Sequence, residues 1–354
     1  MMEYPWLVNE FQRTVPDVPQ LREKMATTNF WAPLQEDSAP SILGAVVGSP
    51  SEDVPPDILR SYVQEYVDSS LRAIDKIEAR GIEAELTPME ARRTEAIIAV
   101  WGRPAILIQN GRFFQPPDPW QQLEDHREAI EETIASVGRI QLTGHPRYEW
   151  VGTGFMVAED LVMTNGHVVR EFALPKGKKW EIDPPITVTI DFNVELGSTT
   201  PKEYRIPSII GVHPELDLAL LRVEAPTRAP MPPPLRVSSS RKLWRKGRDV
   251  YIVGFPASDP GRNDPRVMSR IFNDIYEVKR LQPGRVRKGF PSKKRFDHDC
   301  STLGGNSGSC VVDLETNLVV GLHYQGHYQK ANQAIGLSEL QQDALLRTAG
   351  VDFI

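Results

Sequence analysis

Three short segments of this chain carry the side chains that covalent catalysis by a serine requires. Ser307 lies among small residues in Gly305-Asn306-Ser307-Gly308, where a substrate can come close to backbone N–H groups. A serine hydroxyl is a weak nucleophile by itself, so it needs a base and a group that orients the base. His167 follows the apolar run 161–164, and Asp217 lies within the apolar run 216–221. Together they predict acyl transfer through a serine nucleophile.

Each of the three residues also has a simpler interpretation. A serine in a glycine loop is commonly a turn residue, and a histidine is commonly a capping or buried group. A carboxylate in an apolar run is costly to bury unless a partner compensates its charge. Asp217 therefore predicts a partner, and an imidazole that titrates near neutral pH is a suitable one. His213 and Glu215 lie outside the apolar run, and we assign them to a surface turn.

The elements that must position these residues form an all-β pattern from Val137 onward. Short apolar runs predict two strands, one at 161–164 just before His167 and one at 216–223 that contains Asp217. A proline-rich stretch at 226–234 predicts a connector between two halves, the second beginning near Asp249. Further strands are expected at 186–192, 204–212 and 318–323, with a closing helix at 337–348.

The first third of the chain has a different pattern. Apolar residues spaced by three and four predict a helix over 55–80. Thr87 and Glu90 form a capping box that predicts a second helix to about residue 101. Asn110-Gly111 predicts a hairpin turn, and a third helix is expected from 118 to 136. We predict an N-terminal arm (1–54) and a small helical module (55–135) before the β domain (136–354).

Five segments together resemble the chymotrypsin-like (trypsin-fold) serine peptidases, in the bacterial branch related to the glutamyl endopeptidases. The resemblance covers roughly residues 136–345. It implies a mainly β fold of two six-stranded antiparallel β-barrels, preceded here by the small α-helical module. The segments are Gly152–Phe155, Thr164–His167, Asp217–Leu220, Gly305–Gly308 and Gly321–Tyr324.

The resemblance implies a role for each residue of the site. Ser307 would be the nucleophile, His167 the general base and acid, and Asp217 the group that orients the imidazole. The backbone N–H groups of Gly305 and Ser307 would form the oxyanion hole. Asn306 stands where many animal members have an aspartate that pairs with a freed N-terminus, and an amide cannot form that salt bridge. We therefore expect other contacts, a partner or the substrate to hold this loop.

The same resemblance places the specificity pocket at Ser301, Thr302 and His323. Ser301 stands where trypsin-type enzymes have an aspartate, so a preference for basic residues is not supported. Thr302 and His323 match positions that hold the substrate glutamate in glutamyl endopeptidases. An acidic residue before the cleaved bond is one interpretation, and a histidine packed beside the pocket is the other.

Composition narrows the class of protein. The chain has 354 residues, a net charge of −6 and two cysteines, Cys300 and Cys310. These values argue against a disulfide framework, and the acidic balance argues against a nucleic-acid partner. Two basic stretches, 241–248 and 279–295, are interpreted as solvated loops. No signal peptide, membrane span, metal spacing or cofactor motif is evident, so we expect a bacterial cytoplasmic protein without a cofactor.

Two functions remain open from the sequence. The first is a serine endopeptidase that acts on protein or peptide substrates, with a regulatory partner at the helical module. Residues 262–284 also resemble a segment of bacterial multidomain proteins, which suggests a role in defence. The second is a catalytically idle adaptor of the same fold that binds peptides in its cleft.

Overall fold

The computed structural model describes residues 2–15, 18–26, 56–91, 93–94, 97, 103–117, 120–177, 179–227, 229–258, 268, 271–327 and 331–354. It consists of two compact units. The first comprises Met1–Pro104, Pro117–Pro119 and Pro260–Asp274, and the second comprises Ala105–Pro116, Trp120–Asp259 and Ile275–Ile354. The predicted boundary between residues 135 and 136 therefore does not coincide with the division of the structure. Much of the predicted arm (27–54) and the end of the second predicted helix (98–101) lie outside the described residues.

The helices of the described residues are mostly short. The predicted helix at 55–80 is present as Pro56–Arg80, while the third and closing helices each begin with a 3-10 segment, at Gln121–His126 and Leu337–Leu340. The α-helices are α1 (Pro5–Thr14), α2 (Val18–Ala26), α3 (Pro56–Arg80), α4 (Arg127–Ala135), α5 (Gly166–Arg170) and α6 (Ala344–Ala349).

The first unit has an apolar core of its own. Leu7, Phe11 and Leu21 from α1 and α2 are fully buried with Ile74 and Ile77 from α3. A short antiparallel pair, β1 (Met2–Glu3) with β2 (Glu85–Leu86), joins the beginning of the chain to the segment after α3. The predicted capping box is present, since the backbone N–H of Thr87 donates to Glu90 and that of Glu90 donates to Thr87.

The second unit contains two antiparallel β-barrels. The first is a closed barrel in the order β10-β11-β12-β7-β6-β5, and a separate hairpin, β8 with β9, follows α5. Alternating residues of these strands, such as Ile140, Val162 and Leu221, fill its interior. The strands are β5 (Val137–Thr143), β6 (Trp150–Ala158), β7 (Leu161–Thr164), β8 (Ala173–Lys176), β9 (Lys179–Ile182), β10 (Thr187–Asp191), β11 (Glu203–Val212) and β12 (Ala219–Glu224).

The second barrel closes through the pairing of β13 with β14 and carries the predicted Asn110-Gly111 hairpin at its edge. Both turn residues have positive φ, 54° and 74°, as the predicted two-residue turn requires. The sequence did not predict that this hairpin extends the barrel's sheet. The strands are β3 (Ile106–Gln109), β4 (Arg112–Phe113), β13 (Asp249–Gly254), β14 (Arg280–Phe290), β15 (Arg295–His298), β16 (Cys310–Asp313), β17 (Val319–His327) and β18 (Ala331–Gly336).

The stretch 279–295 is not the solvated loop that was predicted. Most of it forms β14, and Lys279 and Arg280 at its start are buried. The Lys279 ammonium donates to the carbonyls of Ile134 and Phe192 and lies 3.5 Å from Glu195, and the Arg280 guanidinium donates to the carbonyl of Ala105. These acceptors compensate the cations, which is how a basic segment becomes a buried strand.

Hydrogen bonds hold the described part of the proline-rich connector between the barrels. Pro230 and Pro233 each accept a side-chain hydrogen bond, from Tyr204 and Ser136 at 2.6 Å, and Leu235 donates to Met156.

Among the described helices, none combines the length and the apolar composition of a membrane span.

Candidate active site

His167 and Asp217 are in direct contact. Nδ1 of His167 lies 2.5 Å from Oδ2 of Asp217, and the backbone N–H of His167 donates to Oδ1 at 2.7 Å. Asn165 donates to the Asp217 carbonyl and fixes the two segments to each other. β7 ends just before His167, which lies in the first turn of α5. The carboxylate thus holds both the ring and the backbone of the histidine, an arrangement that fixes one tautomer.

A glycine and an arginine complete the surroundings of the carboxylate. A Cβ on Gly166 would lie 3.2 Å from Oδ1 of Asp217, so a larger residue would crowd the aspartate. Arg170, further along α5, places its guanidinium 3.7 Å from the same oxygen. Burial raises the pKa of Asp217, but the hydrogen bonds and charge of His167 and the charge of Arg170 outweigh it and lower the pKa below its ordinary value.

Asp217 lies in a turn just before β12, so the prediction that it lies inside a strand is wrong. The turn is built over His213, which is buried rather than exposed as we predicted. Nδ1 of His213 accepts the backbone N–H groups of Glu215 and Leu216, and its Nε2 donates to Asp343. A ring that satisfies two backbone donors and one carboxylate is compatible with burial, whereas an unsatisfied one would not be.

Ser307 lies in the second of two consecutive tight turns. Asn306 donates to Leu303 across the first turn, and Ser309 donates to Asn306 across the second. The third residues of these turns are Gly305, with φ of +84°, and Gly308, with φ of +90°, values typical of type II turns. Both φ angles are unfavourable for residues with a Cβ, which explains the glycine on either side of the serine segment.

The serine loop and the histidine helix meet on one glycine of β6. A Cβ on Gly152 would lie 3.0 Å from the Ser307 carbonyl oxygen and 2.9 Å from the side chain of Val168, the neighbour of His167. Gly308 donates to the carbonyl of His323 on β17. The chain therefore brings the predicted nucleophile segment, the histidine helix and the predicted pocket strand to one place.

The amide of Gly305 has a defined direction. The Gly304 carbonyl accepts a hydrogen bond from the backbone N–H of Ala257 at 2.6 Å. In a planar trans peptide the C=O and the N–H point to opposite sides, so the Gly305 N–H points away from Ala257. Because Ala257 holds the Gly304 carbonyl on one side of the turn, the Gly305 N–H is exposed on the other side. An amide that binds an anion must point away from other acceptors in this way.

His323 is buried against a second histidine that we did not predict. Nδ1 of His323 lies 3.1 Å from Nε2 of His298, and both side chains are fully buried. Burial lowers the pKa of His298 to about 3. Burial, with the charges of His298 and His167, lowers the pKa of His323 well below its ordinary value, so the pair is neutral at pH 7.

The hydrogen bond between the two rings assigns their tautomers. Nδ1 of His298 is buried without a hydrogen-bond partner among the described residues, which suits the bare nitrogen better than an N–H. His298 then donates from Nε2, and His323 accepts at Nδ1 and carries its proton on Nε2.

Of the other two predicted pocket residues, Thr302 has an Oγ1 without a partner in the described part of the chain. The Ser301 carbonyl accepts a hydrogen bond from Gln282.

The sequence contained one signal for His298. It alternates with Phe296 on β15, where both positions face the interior. An inward-facing histidine in such a strand predicts a buried polar group with a partner.

Cys300 and Cys310 are both buried thiols, and burial raises the pKa of Cys310 to about 12, so it is inert as a nucleophile. The described residues contain no cluster of three or more His, Cys, Asp or Glu side chains suited to a metal.

Comparison with known proteins gives three findings. Residues 152–322 match the family described as "Trypsin-like peptidase domain". A glutamyl endopeptidase of Staphylococcus epidermidis is 26% identical over 198 residues, 55% of this chain and 61% of the relative. The serine protease Rv3671c of Mycobacterium tuberculosis is 24% identical over 271 residues, 69% of this chain and 59% of the relative. The chain thus spans about three fifths of the length of these relatives.

Two solved structures each cover about two thirds of the chain. The crystal structure of Deg5 gives a TM-score of 0.44 at 20% identity and covers 63% of this chain and 93% of its own. The active form of the Rv3671c protease from M. tuberculosis gives 0.43 at 20% identity and covers 67% and 88%.

Proposed function

Because residues 152–322 match the trypsin-like peptidase family, we propose that the chain is a serine endopeptidase that works through Ser307, His167 and Asp217. The observation that carries this proposal is the 2.5 Å contact between His167 and Asp217, with the tight Ser307 turns packed beside it. Asp217 holds the imidazole by Nδ1, which leaves Nε2 to accept a proton. The outcome is a base that is oriented before substrate arrives.

In the proposed reaction, His167 removes the proton of the Ser307 hydroxyl as the oxygen attacks the peptide carbonyl. The N–H groups of Gly305 and Ser307 donate to the oxyanion that forms. His167 then gives the proton to the leaving amine, which departs and leaves an acyl-enzyme. A water molecule, activated by the same histidine, hydrolyses the ester and restores Ser307.

The test of this proposal is labelling with a fluorophosphonate, which reacts with activated serines. Wild type should react at Ser307, and Ser307→Ala should not react. Ser309→Ala removes a hydroxyl two positions away and should still be labelled. A wild-type chain that neither reacts nor cleaves casein, yet binds peptides, would favour the idle adaptor over the endopeptidase.

We further propose that the enzyme cleaves after acidic residues. Two features support this: within the described residues, neither the Nε2–H of the buried His323 nor the hydroxyl of Thr302 has a hydrogen-bond partner. Similarity to a protein named glutamyl endopeptidase also supports it. His323 would then bind the substrate carboxylate as a neutral donor, since its low pKa leaves it uncharged at pH 7.

Profiling with a peptide library tests the preference directly. Peptides with glutamate before the cleaved bond should be cut faster than matched glutamine peptides. His323→Ala should remove that difference, while Ser307-dependent labelling should persist. Equal cleavage of glutamate and glutamine peptides by wild type would contradict the assignment of Thr302 and His323.

We propose that the first unit regulates the peptidase and binds a partner, because its apolar core is separate from the barrels. Phe11→Ala, which opens a cavity in that core, should change casein cleavage by the full chain if the regulation exists. Unchanged cleavage at reduced stability of the first unit would contradict it. A cytoplasmic location, supported by two buried thiols, and a role in bacterial defence also remain proposals.

A further inference from the structure

Thr153 of the first barrel donates hydrogen bonds to the oxyanion turn. We propose that Thr153 is a positioning residue that fixes the carbonyls of both residues whose amides form the oxyanion hole. The inference rests on the proposed peptidase function, and it identifies what replaces the salt bridge that Asn306 cannot form. Thr153 itself touches neither the reacting atoms nor the substrate in this assignment.

Thr153 makes three hydrogen bonds from a fully buried position on β6. Its hydroxyl donates to the Gly305 carbonyl at 2.8 Å, and its backbone N–H donates to the Ser307 carbonyl at 2.9 Å. Its own carbonyl accepts from the hydroxyl of Thr164 at 2.7 Å. One side chain and one backbone amide of the first barrel therefore hold two carbonyls of a loop in the second barrel.

These bonds restrain the glycine that must orient its amide. The peptide between Gly304 and Gly305 is held by Ala257, which donates to the Gly304 carbonyl, and the next peptide is held by Thr153. Rotation of the first peptide would change the φ of Gly305 from +84° and would break the bond between Ala257 and the Gly304 carbonyl. The bond from Thr153 to the Gly305 carbonyl restrains the next peptide against a compensating rotation. The two clamps on either side of the Gly305 Cα therefore oppose a flip of the oxyanion amide.

Asn306 does not supply an equivalent restraint. Its amide nitrogen reaches only the Leu303 carbonyl of the same turn, at 3.4 Å, and its Oδ1 is buried without a partner among the described residues. The hydrogen bonds on either side of Gly305 come instead from Ala257 and Thr153. The turn consequently needs no newly freed N-terminus to keep its shape.

The experiment compares Thr153→Val with Thr153→Ser. Valine keeps the shape and removes the hydroxyl, whereas serine keeps the hydroxyl. We expect Thr153→Val to lower kcat about two- to tenfold, as loss of one neutral hydrogen bond would, with KM near wild type. The inhibition constant of a peptidyl aldehyde should rise by the same factor, because the aldehyde binds as a tetrahedral adduct. Thr153→Ser should retain wild-type values for both.

Thr133→Val is the matched control. Thr133 is a buried threonine of α4 whose hydroxyl bonds to Tyr251, away from the oxyanion turn. This variant should lose stability but keep kcat and aldehyde binding. If Thr153→Val behaves like Thr133→Val in these measurements, or if Thr153→Ser fails to rescue, the inference is wrong.

Hydrogen exchange of the segment 303–308 separates this inference from the proposed function. Thr153→Val should accelerate exchange there, and Thr133→Val should not. Faster exchange in a protein that cleaves no peptide would refute the peptidase proposal and support the positioning role. Unchanged exchange in an active Thr153→Val enzyme would leave the peptidase proposal intact and refute the positioning role.

Discussion

The buried pair of His298 and His323 makes stability depend on pH in a defined direction. In the folded protein the pKa of His298 is lowered from 6.5 to about 3 because the ring is completely buried. The unfolded chain takes up a proton on this residue as the pH falls through 6.5, and the folded chain does not. The difference in proton binding therefore has little effect on stability at pH 7, and the unfolded state gains stability progressively as the pH falls from 6.5 toward 3.

The size of the effect follows from the two pKa values. A solution at about pH 5 is about 1.5 pH units below the pKa of His298 in the unfolded chain. Protonation of the unfolded chain then lowers the free energy of unfolding by about 2 kcal/mol. At about pH 4 the same relation gives about 3 kcal/mol. Either value is a large part of the roughly 5–15 kcal/mol that stabilises a typical domain. Loss of stability should thus begin in mildly acidic solution.

Urea unfolding of wild type and His298→Gln at about pH 7, 6 and 5 measures the effect. Glutamine can still donate to His323 but has no titrating group, so the variant should lose about 2 kcal/mol less than wild type between pH 7 and 5. His126→Gln, which removes a half-buried histidine outside this pair, should follow the wild-type curve. Parallel curves for wild type and His298→Gln would refute the reasoning, because His298 would then titrate alike in both states.

Three further predictions concern the site itself. Asp217→Asn should lower kcat about 10⁴-fold with little change in KM, since an amide favours the wrong tautomer of His167; steady-state kinetics will test this. Gly305→Ala should lower kcat about 10²- to 10³-fold, because its Cβ would lie 2.4 Å from the Phe255 carbonyl, and intact folding by circular dichroism is the control. His213→Ala should reduce the free energy of unfolding by about 2–4 kcal/mol, measured by urea titration, because three hydrogen bonds are lost.

The parts of the fold that the sequence predicted have a strong local signal. Asn110-Gly111 predicted its turn because few other pairs accept positive φ at both positions. Thr87 and Glu90 predicted their capping box because both bonds are local. Two apolar runs predicted β7 and most of β12, although the second predicted strand began three residues before β12 does. Each of these depends on residues that are neighbours along the chain.

The parts that the sequence did not predict depend on contacts between distant residues. Thr153 has an ordinary strand context, and nothing near it indicates a bond to a residue 152 positions away. Lys279 is basic and was assigned to solvent, since its acceptors Ile134 and Phe192 come from distant segments. His213 is polar and precedes a turn, and its burial depends in part on Asp343, a carboxylate 130 positions further along the chain.

The long separation of these bonded residues has a consequence during synthesis. When the first barrel leaves the ribosome, Thr153 is present but Gly305 has not yet been made. The nascent chain therefore carries His167 and Asp217 without Ser307 for most of translation. The proposed active site is complete only when the strands around Ser307 have been added, so the proposed activity would arise late in synthesis.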